Sequence, residues 1–103
     1  MNKALCLCIA AALAAAPVPA LAAIDCSRAR TNSEKLLCSN SRLAAADQRM
    51  AFAFREAINR GIRPEVLMES QRNWIRDSRD VCNDVECMLR AYEERTSELQ
   101  DLH

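Results

Sequence analysis

Glycine is almost missing from this chain, with Gly61 the only one in 103 residues. That scarcity argues for helices rather than a sheet and excludes the glycine-rich loops that cradle phosphates. Histidine is just as scarce: His103 is the last residue, which leaves no Ser/His/Asp triad and no histidine pair for a metal. Charge of one sign is lacking too, since 14 Lys and Arg balance 14 Asp and Glu. Basic residues alternate with acidic ones and form no patch interleaved with aromatics, so nucleic acid is disfavoured as a partner. Carboxylates are plentiful but spread along exposed faces. The inventory points to a non-enzyme with no cofactor, and to a protein partner.

The chain opens on a targeting segment. Lys3 supplies a positive start, Leu5 to Ala16 an apolar run too short to span a bilayer, and Ala20-Leu21-Ala22 a cleavage signal. Residues 1–22 therefore read as a cleaved signal peptide and residues 23–103 as one domain. Cys26 follows Ala23-Ile24-Asp25 rather than a small-residue lipid-attachment sequence, so no stable membrane anchor is expected after cleavage. The mature product should be periplasmic or secreted. It keeps thirteen basic against fourteen acidic residues, a formal charge of −1.

A domain of about eighty residues is marginal on core burial alone and gains from covalent staples. Four of the six cysteines, Cys26, Cys38, Cys82 and Cys87, remain after cleavage. Four cysteines permit three connectivities, and the sequence alone does not choose. The local pairs Cys26 with Cys38 and Cys82 with Cys87 are the expected ones, each stapling one end of a helix. A four-cysteine zinc site is disfavoured by export to an oxidising compartment and by the absence of tight C-x-x-C spacing.

The periodicity predicts an all-α, disulfide-stapled bundle of one short N-terminal helix and three longer ones. Thr31 and Glu34 form a capping-box pattern opening a short helix that ends near Cys38, so Glu34 reads as a cap. A second helix is expected from about residues 39–41 to Arg60, closed by Gly61. Its apolar face is Leu43, Ala46, Met50, Ala53, Phe54, Ala57 and Ile58. Asp47 lies about 40° from Leu43 on that face, where an unpaired carboxylate is expensive, and Arg79 or Arg95 is its expected partner. Phe52 points about 180° away, where it is either covered by the amino-terminal segment or the anchor of a binding surface.

Pro64 suits the first turn of a third helix. Along it Leu67, Gln71, Trp74, Ser78 and Val81/Cys82 share one face, flanked by Met68, Ile75 and Arg79. Asp84 should cap a fourth helix reaching about Leu99, with Val85, Met88, Leu89, Tyr92, Thr96 and Leu99 inward and Arg95 at the edge. Short connections imply that successive long helices run antiparallel or nearly so. The tightest acidic cluster, Asp77, Asp80, Asp84 and Glu86, surrounds the Cys82 to Cys87 corner and is, with Phe52, the candidate protein-binding surface.

Cys26, E-x-x-x-C at Glu34 to Cys38, Leu43, Asp47, Q-x-x-W at Gln71 to Trp74, R-x-x-C at Arg79 to Cys82, then Cys87, Tyr92, Arg95 and Leu99 form one pattern along the mature chain. In it the chain resembles the small secreted domain family named after the LprI lysozyme inhibitor of mycobacteria. Phe54 departs from the pattern, standing where the family often has tyrosine, so no hydroxyl is available there. The resemblance implies an all-helical, disulfide-bonded envelope protein and lysozyme inhibition. An envelope adaptor or assembly factor with no inhibitory activity is the alternative. An inhibitor of a cationic muramidase should present acidic or polar groups, held ready by its scaffold, to a cleft that carries catalytic carboxylates.

Overall fold

The computed structural model describes residues 24–103. The expected signal peptide, residues 1–22, lies outside the described residues. A 3-10 turn at Cys26–Arg28 leads to α1 (Asn32–Ser39), α2 (Ser41–Asn59), α3 (Pro64–Trp74) and α4 (Val85–Gln100). No strand occurs among the described residues. The architecture is all-α, with one short helix and three longer ones as the periodicity predicts.

Each helix starts and stops where its sequence supplies the chemistry. The Thr31 hydroxyl accepts from the Glu34 amide at 3.1 Å while the Glu34 carboxylate accepts from the amides of Arg30 and Thr31, closing the capping box of α1. Asn40 caps α2 by accepting from the Leu43 amide, and Asp84 caps α4 by accepting from the Cys87 amide. Gly61, at φ +106°, ends α2 in a Schellman turn, donating to the Ile58 carbonyl while Ile62 donates to Ala57. Side chains rarely adopt that φ, which accounts for the one glycine in the chain.

The main packing contact is between α2 and α4. They run in the same direction, since Arg42 meets Glu86 near their starts, Asp47 meets Tyr92, and Arg60 donates to the Leu99 carbonyl near their ends. Against this pair α3 runs the opposite way, with Gln71 against Met50 and Trp74 against Tyr92. The core they enclose contains Leu43, Met50, Phe54 and Ala57 from α2, Leu67 and Trp74 from α3, and Met88, Tyr92 and Leu99 from α4. Both sequence-local cysteine pairs are disulfides, with Cα separations of 5.7 Å for Cys26–Cys38 and 5.6 Å for Cys82–Cys87.

The end of α3 departs from the uniform helical wheel. A π-helical turn, Ile75–Arg79, prolongs the helix, and the Asp80 amide donates to the Ile75 carbonyl at 2.8 Å, five residues back. Each π turn inserts one residue relative to the α-helical repeat and rotates the downstream side chains about the axis. Arg79, expected on the flank, is therefore buried at 8% exposure, whereas Val81, expected on the inward face, stands 64% exposed. Arg95 differs as well: expected at the edge of α4, it is 5% exposed in the interior.

Candidate functional site

Around Tyr92 the interior is polar as well as packed. The Tyr92 ring meets Trp74 edge to face, centroids 5.0 Å apart, and its hydroxyl donates to Asp47 Oδ1 at 3.0 Å. The expected direct ion pair between Asp47 and Arg79 or Arg95 is not formed. A tyrosine hydroxyl already fills the donor role, and each arginine is engaged elsewhere. Arg79 Nε donates to Asp80 at 3.0 Å, and Nη2 lies 4.0 Å from Glu34. Arg95 Nε donates to the Gln71 amide oxygen at 2.9 Å, and the Gln71 amide nitrogen reaches Met50 Sδ at 3.2 Å. Arg95 Nη2 is buried without a hydrogen-bond partner among the described residues.

These contacts set the electrostatics. Burial pushes the Asp47 carboxyl above the ordinary aspartate range, against the Tyr92 hydrogen bond and the nearby Arg79 charge. Burial, together with the Asp47 charge, raises the Tyr92 hydroxyl, which keeps it a donor. Desolvation works against the Arg79 cation, but Tyr92 and Asp80 outweigh it and hold the guanidinium above its ordinary value. At Arg95 desolvation wins over the Glu98 contact, in the downward direction. Glu34 is lowered, first by the backbone amides of Arg30 and Thr31.

The signature residues Glu34, Asp47, Gln71, Trp74, Arg79, Tyr92 and Arg95 thus belong to one interior assembly with its caps. Ser33 extends it, donating from its hydroxyl to Asp80. Sequence reasoning misses Ser33, whose only signal is its place two residues after the Thr31 cap, on the inward side of α1.

The four acidic residues of the corner are placed apart in role. Asp77 is gripped by Arg76 at 2.8 and 2.9 Å, Asp80 by Arg79 and Ser33, and Asp84 accepts the Cys87 amide. Glu86 reaches Arg42 at 3.3 Å across the surface. What the corner projects is Val81, beside exposed Asp84 and Glu86. Phe52, on α2, is 58% exposed. It borders a trough of about 510 Å³ between α2 and α4, with Arg49 and Thr96 beside it.

A separate cleft of about 480 Å³ opens between the N-terminal segment and α2. Ile24, Leu37 and the Cys26–Cys38 bridge form one wall, and Ala44 and Ala51 line the other. Asp47 lies in the same cleft, with Gln48 and Arg55 also lining it. The arrangement offers no nucleophile next to a base. A half-buried carboxylate between apolar walls can receive a hydrogen-bond donor or a cation.

Residues 26–99 match the model of the family described as "Lysozyme inhibitor LprI". The chain belongs to the LprI family. The matched span begins at the first stapled cysteine and ends at Leu99 in the last turns of α4, so it takes in the caps, both bridges and the interior assembly. No curated protein and no solved structure matches the chain.

Proposed function

We infer that this member of the LprI family is an exported envelope protein that binds another protein and inhibits a lysozyme-type muramidase by occluding its cleft. The family match over residues 26–99 carries the reading. The fold supports it in a specific way. Glu34, Gln71, Trp74, Tyr92 and Arg95 serve the scaffold, and a scaffold held by two bridges offers its surface without an ordering cost at binding. On that surface the Cys82–Cys87 corner presents an apolar apex, Val81, with Asp84 and Glu86 next to it. Such a tip fits a cleft on a basic enzyme better than a flat face does, and its charges favour encounter.

The test is clearing of a cell-wall suspension by lysozyme in the presence of the purified, oxidised protein. Inhibition should be seen, and Val81→Glu or Glu86→Lys should weaken it about tenfold or more with the helical circular-dichroism signal intact. Asp80 and Asp84 are poorer probes, because charge reversal there also breaks the Arg79 contact or the α4 cap. Clearing that proceeds unhindered at high molar excess, across several lysozyme types, overturns the reading.

The exposure of Phe52 favours a second reading, an envelope adaptor that docks a protein partner on the trough between α2 and α4. Capture of one partner from periplasmic extract that disappears with Phe52→Ala, in a protein that leaves muramidases untouched, decides for it.

A further inference from the structure

The cleft beside Asp47 holds a chemical imbalance that its surroundings do not resolve. Asp47 Oδ1 accepts from Tyr92, but Oδ2 takes no hydrogen bond among the described residues. Arg79 lies on the inner side, engaged with Asp80 and near Glu34. Arg55 lines the cleft eight residues further along α2, which is about 12 Å of helical rise from Asp47. The carboxylate is half-buried, so it is partly shielded from water, and no cation forms an ion pair with it among the described residues. At about 480 Å³ the space is far larger than one water needs, roughly 30 Å³.

We propose that this cleft is a socket for one lysine or arginine side chain of the protein partner, its stem lying along Ile24, Leu37 and Ala51 and its head on Asp47 Oδ2. A purely apolar group would strand the carboxylate, and an anion would be repelled by it. A side chain with an aliphatic stem and a cationic tip satisfies walls and carboxylate together, as lysine and arginine do across apolar surface, and unlike a neutral donor it also offsets the carboxylate's charge. Assigning the cation to a protein rests on the proposed function, in which the partner is a basic enzyme.

The socket is tested apart from that function by titrating the isotope-labelled, oxidised exported protein with Nα-acetyl-arginine methylamide and Nα-acetyl-lysine methylamide, with the norleucine analogue as control. The expected result is amide shifts centred on Ile24, Ala44, Asp47 and Ala51 with a cationic probe and not with norleucine. Asp47→Asn, which keeps an acceptor for Tyr92, should weaken that binding about tenfold. Ala44→Phe, at an exposed α2 position, should block the cleft while leaving the Asp47–Tyr92 bond alone, so it carries the test if Asp47→Asn loosens the fold. No saturable shifts, or shifts that survive both variants, overturn the socket. Probe binding without muramidase inhibition supports the socket and sinks the enzyme partner, whereas inhibition undiminished in Ala44→Phe sinks the socket and leaves the proposed function standing.

Discussion

The two bridges have nearly the same Cα separation, yet they build opposite surroundings. Cys26–Cys38 closes a long loop and holds the N-terminal segment against α2 with a cleft between, at whose side a lone carboxylate is short of partners. Cys82–Cys87 closes a tight corner dense in carboxylates, and there Arg76, Arg79, Arg42 and a helix N-terminus each take one. Acidic density along the chain is therefore a poor guide to available negative charge. What matters is whether a donor reaches the oxygen.

The contrast breaks most directly at Arg79, the cation that ties the corner to α1. Replacing it with methionine removes a buried cation from Asp80 and Glu34, which keep Ser33 and the α1 amides, and from the neighbourhood of Asp47, so Arg79→Met should cost about 3 kcal/mol in a urea or guanidinium melt. Arg76→Met is the control: its partner Asp77 is exposed, and little stability should be lost. Equal, small losses for the two would mean that the corner is not held by buried charge.

The bridges themselves give the next largest effect. In the chain-entropy view the longer loop stabilises more, about 3 kcal/mol for Cys26–Cys38 against about 2 kcal/mol for Cys82–Cys87. Double serine variants of each pair, melted side by side, should keep that order. The first should also abolish cationic-probe shifts in the cleft, and the second should leave them.

How much of this could be read from the sequence depends on the range of the interaction. The caps at Thr31, Asp84 and Gly61 and the inward faces of Leu43, Gln71 and Trp74 follow from neighbours a few residues apart, where periodicity and turn chemistry act, whereas the bridge pairing is the expected one of three. The partner of Asp47 does not. Tyr92 is 45 residues away, and on a helical wheel it counts as an apolar position, so its hydroxyl goes unassigned until the helices are docked. The π turn is hidden for another reason: a wheel at fixed rotation has no place for an inserted residue, which is why Arg79 and Val81 exchange expected sides. The N-terminal cleft lies between elements and leaves no mark in any one of them.

The smallest effect sharpens the comparison most, because it sets two carboxyl groups shifted in opposite directions in one protein. Glu34 is held below its ordinary value by backbone amides and, more weakly, by Arg79. Its stabilising contribution is present above the unfolded value of 4.5 and is lost as pH falls through the lower folded value. Asp47 is held above its ordinary value by burial, so its contribution is complete below the unfolded value of 3.8 and is lost as pH rises through the higher folded value. Glu34→Ala should therefore cost about 1 kcal/mol at neutral pH, through the lost cap, and less as the solution is acidified. Asp47→Asn should do the reverse: within about 0.5 kcal/mol of the parent at neutral pH, since relief from a desolvated charge offsets the lost attraction to Arg79, and relatively worse at acid pH, where the parent carboxyl is protonated. Melts of both variants from pH 3 to pH 7 read the two slopes directly. If Asp47→Asn instead loses stability in step with rising pH, the carboxylate is being stabilised by its surroundings, and the imbalance on which the socket rests is absent.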